Sequence, residues 1–171
     1  MQKKQDVSVL QTNGSGVLSF ASSSAVNTPS FLAFRSSSNQ SATSSAYTKV
    51  QLNSELFDTD TAFDSTTNYR FTVPTGQGGK YVFCLTSTIY NTANDVDYNG
   101  ISLYKNGSQY VFIPHQKNTP NGFGHLHTST TFIENASAGD YYEMFVYAVG
   151  SSPLIVAGDK ATFFGGFKVI T

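Results

Sequence analysis

The most chemically pointed spacing in this chain is His125-Leu126-His127, two imidazoles separated by one residue. On a β-strand, side chains alternate between faces, so residues two apart share a face. Three copies of such a pair around a three-fold axis would offer six imidazoles to zinc or nickel. His115, after Pro114, reads as a loop residue. A second ligand-like run, Asn94-Asp95-Val96-Asp97-Tyr98-Asn99-Gly100, carries oxygens at alternate positions, as calcium loops do. It lacks the bidentate glutamate of an EF-hand loop, and acidic turns are common. Asp95, Asp97, His125 and His127 are thus minor metal candidates, and the expectation is that no metal or cofactor is bound.

Catalytic spacings are missing. The chain has no Gly-x-Ser-x-Gly elbow, no His-Glu-x-x-His and no phosphate-binding glycine loop. Glycoside hydrolysis would need two carboxylates roughly 5–9 Å apart, for which Asp58, Asp60, Asp64, Asp95 and Asp97 are available. All lie in turn-like runs, where aspartate is favoured for its hydrogen bonds to nearby backbone. No enzymatic activity is expected. Cys84, the only cysteine, sits in Tyr81-Val82-Phe83-Cys84-Leu85 and reads as a small buried hydrophobe.

The elements that must position these residues are strands. A chain of 171 residues suits one domain with a short appendage. Charged residues make up only 12%, and Ser, Thr, Asn and Gly fill the surface role. Such surfaces occur in extracellular assemblies and in viral shells and fibres. A net charge of −1 gives no reason to expect nucleic-acid or membrane-surface binding. No run of 18 apolar residues could span a membrane, and Met1–Leu10 lacks the apolar core of a signal peptide.

Residues 1–30 read as an arm. Val7-Ser8-Val9-Leu10 and Val17-Leu18-Ser19-Phe20 flank a turn at Asn13-Gly14-Ser15-Gly16, and a serine-rich linker follows. Two strands cannot bury their apolar side chains alone, so Val7, Val9, Leu10, Val17, Leu18 and Phe20 are expected to dock on something else. From residue 31 to 171 the pattern is an all-β sandwich of about ten strands, with no helical period. Expected strands are Phe31–Phe34, Tyr47–Leu52, Tyr69–Val73, Tyr81–Thr88, Gly100–Lys105, Gln109–Pro114, Gly124–Ile133, Tyr141–Val149 and Ala161–Ile170, while the stretch around Asp58–Thr61 reads as turn. Asn106-Gly107 is the strongest hairpin signal. Phe163, Phe164 and Phe167 are expected to anchor the last strand in the core.

Phe63-Asp64, Phe71-Thr72-Val73-Pro74, Gly79-Lys80-Tyr81-Val82-Phe83, Leu103-Tyr104-Lys105-Asn106-Gly107, Gly139-Asp140 and the ending Thr162-Phe163-Phe164-Gly165-Gly166-Phe167 follow one another in order. This series resembles the globular head of complement component one, subcomponent q, a jelly roll shared with the tumour necrosis factor ligands. The ending has one residue more than the family's usual pattern. The resemblance implies a homotrimeric, non-enzymatic binding or structural module. It also implies that aromatic stripes line the three-fold axis, and Tyr81, Phe83, Tyr142, Met144 and Phe145 are the trimer-interface candidates.

The chain lacks the collagen-like stalk of complement-type proteins. Its segment Val9–Phe20 instead resembles one frequent in bacteriophage tail-fibre and other virion proteins. The expectation is therefore a virion-surface protein, a homotrimeric capsid decoration or cement protein anchored on the major capsid protein by its arm. Two alternatives stand beside it. One is a receptor-binding knob joined to fibre or tail proteins and recognising a host surface glycan, although 171 residues leave little room for a shaft. The other is a secreted, lectin-like trimeric module.

Overall fold

The computed structural model describes residues 8–12, 14–16, 18–22, 28–116, 123–158 and 160–169. Strands β1 (Ser8–Thr12) and β2 (Leu18–Ser22) form an antiparallel hairpin that is a two-stranded sheet of its own. Gly14 and Gly16 supply left-handed φ values of 83° and 79° in its turn. Of the expected docking residues, Val7 and Val17 lie outside the described residues. Val9, Leu10, Leu18 and Phe20 fall on the paired backbone.

The remaining strands build two antiparallel sheets. The smaller is ordered β11 (Ser108–Ile113), β10 (Tyr98–Lys105), β13 (Tyr141–Val149), β8 (Arg70–Thr72), β7 (Phe63–Asp64). The larger is centred on β9 (Gly79–Tyr90), with β12 (His125–Ala136) along one edge for its whole length. Along the other edge of β9 lie β15 (Phe163–Lys168) and the short β14 (Leu154–Ile155). Beyond them come β3 (Ser30–Phe34), β4 (Gln40–Ser41) and β6 (Ser54–Asp58). The segment β5 (Ala46–Lys49) packs on β13.

The all-β jelly roll expected from the sequence is therefore the fold found, with three strands of two residues each inside it. The strand β6 was not anticipated. Its residues pair with β3 through a register shift between Leu32 and Ala33, and that irregularity breaks the alternation a strand reading depends on. Asn106 and Gly107, with φ of 52° and 80°, make the expected tight hairpin between β10 and β11.

Between the sheets lies an aromatic core. Phe31 stacks on Phe71 with centroids 4.3 Å apart, Phe164 meets Phe31 edge-on at 5.0 Å, and Phe83 lies against Tyr142 at 4.8 Å. This corrects four of the five trimer-interface candidates. Tyr81, Phe83, Tyr142 and Met144 have no exposed surface within a single chain, because their parity on β9 and β13 points them inward. The Tyr81 hydroxyl donates to the carbonyl of Gln77 at 2.8 Å, and burial, helped by the charge of Asp60, pushes its pKa up to about 12. Phe145 alone keeps an outward, half-buried position, stacked on Tyr104 at 4.0 Å. The last strand divides likewise: Phe164 is core, whereas Phe163 is half-buried and Phe167 exposed.

One end of the sandwich is closed by an ionic cluster. Lys105 on β10 reaches Glu134 on β12 at 2.8 Å and Asp140 at 3.0 Å. Tyr110 and Tyr142 donate their hydroxyls to the same Glu134 carboxylate at 2.7 and 3.2 Å. Burial works against the Lys105 ammonium, but its bonds to Glu134 and Asp140 outweigh that and hold its pKa above the usual lysine range.

Candidate functional site

The face of the larger sheet that points away from the core is unexpectedly apolar. The strand registers set its rows. Phe57, Leu32, Gly165, Cys84 and Thr131 lie side by side across five strands. The next row holds Ser30, Phe167, Val82 and Ile133, and the row on the other side holds Phe34, Phe163, Thr86 and Ser129. Ile133 is 69% exposed, Phe167 49% and Phe57 45%. A sandwich sheet that met only water on this face would alternate apolar and polar residues. Strand β9 does not, since Tyr81, Phe83 and Leu85 face in while Val82 and Cys84 face out.

A cleft of about 390 Å³ opens in these rows, lined by Leu32, Phe57, Cys84, Phe163, Gly165 and Phe167. Gly165, between Leu32 and Cys84 in the ladder, lines it, and a Cβ there would already stand 3.2 Å from the carbonyl oxygen of Phe31. Cys84 is thus half-buried on the outward face rather than enclosed in the core, and Thr131 donates its hydroxyl to the sulfur at 3.5 Å. The adjoining sheet edge carries more exposed rings, with Tyr110 and Phe112 on β11 and Phe123 before β12.

Sequence reasoning found none of these outward residues. Their parity on each strand was readable. What was missing was the sense of the alternation, because both parities of β9 and β15 carry apolar side chains.

The other face of the smaller sheet carries a ring cluster of its own. Tyr47 on β5 packs edge-on against Tyr104 and Phe112 and at a tilt against Tyr147, with centroids 5.2–6.2 Å apart. Gly100 lies beneath it, where a Cβ would come within 2.5 Å of the Phe112 ring. These edge-on contacts pin β5 to the sheet.

The acidic residues are occupied with loop building. The backbone N–H of Phe63 donates to Asp58 at 2.7 Å. The N–H groups of Thr66, Thr67 and Asn68 donate to Asp64, and this holds its carboxyl well below the usual carboxylate range. A polar cleft of about 470 Å³ beside it is lined by Asp60, Asp64 and Arg70, among others. The guanidinium of Arg70 lies 4.4 Å over the Tyr141 ring. Asp95 accepts the side-chain amide of Asn91 and the N–H of Ser151, which lower its pKa, while Asp97 is exposed. Among the described residues no group of three or more His, Cys, Asp or Glu comes together as a metal site.

The histidines are placed as their spacing implied. His125 and His127 are exposed on one face of β12, opposite Tyr90 and Thr88 of β9. His125 stacks on Tyr90 with centroids 4.5 Å apart. His115 joins them at the same corner, its Nδ1 lying 2.7 Å from the carbonyl of His127.

No family model and no curated protein matches this chain. Solved structures do. The globular domain of zebrafish complement 1qA protein aligns over 83% of this chain and 98% of its own, with 16% identity and a TM-score of 0.58. Murine APRIL aligns over 84% and 100%, with 11% identity and a TM-score of 0.60. The Eiger TNF of S. frugiperda aligns over 84% and 93%, with 9% identity and a TM-score of 0.61. At these identities the likeness establishes the fold: a complement-q and tumour-necrosis-factor type jelly roll.

Proposed function

We propose that this chain is a non-enzymatic, homotrimeric module whose subunits meet through the outward face of the larger sheet. The observation that carries this reading is the row of exposed apolar residues there, above all Phe167 and Ile133. Burying a large apolar side chain stabilises by about 1.5–3 kcal/mol, and a contiguous patch of such residues marks an interaction surface. The ring-bearing edge at Tyr110 and Phe112 is the natural counterpart, so that the edge of one copy packs on the face of the next. Such a head-to-tail contact closes into a ring when its rotation allows, and a three-fold ring fits the fold.

The module belongs, in this reading, to the surface of a phage particle, as a decoration protein held on the major capsid protein. Two features support that step: the likeness of Val9–Phe20 to virion-protein segments, and a hairpin that makes a two-stranded sheet of its own among the described residues, a unit suited to strand addition. The test of the subunit contact is Phe167→Asp. The variant should sediment as an 18.5 kDa monomer with an unchanged β circular dichroism spectrum. A variant that sediments like the parent trimer places the contact on another face.

A further inference from the structure

The corner that gathers His115, His125 and His127 carries more than exposed imidazoles, because neighbours orient the rings of the β12 pair: Tyr90 stacks on His125 and Thr88 bonds His127. The Thr88 hydroxyl lies 3.0 Å from the carbonyl of Ala161, which can only accept, so Thr88 spends its one proton there. The same Thr88 oxygen lies 2.9 Å from His127 Nδ1, and with its proton on the Ala161 carbonyl it is free to accept from that nitrogen. In that arrangement the neutral ring of His127 carries its proton on Nδ1 and presents the Nε2 lone pair. Metal-binding histidines are oriented in this way, with one ring nitrogen donating to a fixed oxygen and the other left for the ion.

The backbone under the pair is held as well. Asn99 is fully buried and donates its side-chain amide to the carbonyls of Leu126 at 2.8 Å and Ser87 at 3.0 Å. On the other side, His125, Leu126 and His127 pair in register with Tyr90, Ile89 and Thr88. Residues two apart on a strand are separated by about 6.6–6.8 Å. Two imidazoles on one face at that spacing can converge on a single ion at about 2.0–2.1 Å from each nitrogen.

We propose that His125 and His127 chelate one late first-row divalent ion of the zinc, nickel and copper class, with water in the remaining positions. Imidazole is the ligand that selects this class over magnesium and calcium. Thr88 is the positioning residue, acting through His127. The chelate rests on one chain's geometry and does not depend on the trimer. It lies on the same outward face as the apolar rows but at the opposite end of the β12–β9 ladder from Ile133.

Calorimetric titration of the full chain with nickel chloride tests this, with sedimentation run on the same samples to record the oligomeric state separately. The parent should bind one ion per chain. His125→Gln and His127→Gln should each weaken binding at least 30-fold, and Thr88→Val should weaken it about tenfold, the lower end of the usual cost of a lost orienting partner. His115→Gln should leave the affinity unchanged, since the chelate uses only the same-face pair on β12. Absence of binding by the parent, or a His127→Gln variant that binds as tightly as the parent, overturns the proposal whatever the oligomeric state.

Discussion

Gly166 lies directly opposite Phe83 in the β15–β9 ladder, and the Phe83 ring fills the space that a side chain at Gly166 would take. A Cβ there would stand 2.6 Å from Cδ1 of Phe83 and 2.8 Å from the carbonyl oxygen of Val82. Its neighbour Gly165 faces the other way and lines the outward cleft. The paired glycines thus admit a core ring on one face and border a recess on the other.

Gly166→Ala should therefore destabilise the fold. Neither the ring in the packed core nor the Val82 backbone can retreat freely, and overpacking of this kind costs about 1–3 kcal/mol. Chemical denaturation should show the lower midpoint. An unchanged midpoint would mean that the two strands separate easily, contrary to the packing described.

Lys105 and Glu134 make a second testable pair. Lys105→Met leaves the buried Glu134 carboxylate with the Tyr110 and Tyr142 hydroxyls, and because Lys105 is itself partly exposed the loss should fall below the roughly 3–5 kcal/mol of a fully buried pair broken from one side. Adding Glu134→Gln should recover part of the loss, as a double-mutant cycle would show. Additive losses would mean that the two groups do not interact.

Acid should weaken the protein through particular carboxylates. The N–H of Thr67, followed by those of Thr66 and Asn68, lowers the pKa of Asp64. The amide of Asn106, then the N–H of Ser137 and the Lys105 ammonium, lowers that of Asp140. A carboxyl depressed in the folded state contributes stability that is complete above its unfolded value of about 3.9 and is lost as pH falls through the folded value. The melting temperature should hold between about pH 5 and 7 and fall steadily below about pH 4. Asp64→Asn should shrink the fall. A flat profile down to about pH 2 would contradict this wiring.

If the proposed trimer forms through the sandwich, a chain lacking residues 1–22 should keep the parent's oligomeric state and melting temperature, because among the described residues the hairpin shares no sheet with the sandwich. Under the proposed decoration role it should no longer attach to phage particles. Attachment by the truncated chain would remove the arm from the docking account.

The sequence carried the fold further than it carried the surfaces. Asn106-Gly107 was readable because a two-residue hairpin needs left-handed φ at both positions, and few residues accept it. His125 and His127 were readable as one face because strand alternation is strict. The inward sense of Tyr81 and Phe83 was not readable: Val82, Cys84 and Tyr90 put apolar groups on the other parity of β9 as well, beside Lys80, Thr86 and Thr88, and this blurs which set is core. The same ambiguity hid Phe167, whose neighbours in sequence include the core residue Phe164. Glu134 was missed for another reason. A buried charge is explained only by its partner, and Lys105 is 29 residues away in sequence.

The most direct test of the subunit contact is sedimentation equilibrium of the unaltered chain across a range of concentrations. The account predicts a single species of three times 18.5 kDa. A chain that remains an 18.5 kDa monomer at every concentration would contradict it, and the apolar rows around Phe167 and Ile133 would then have to face a different partner.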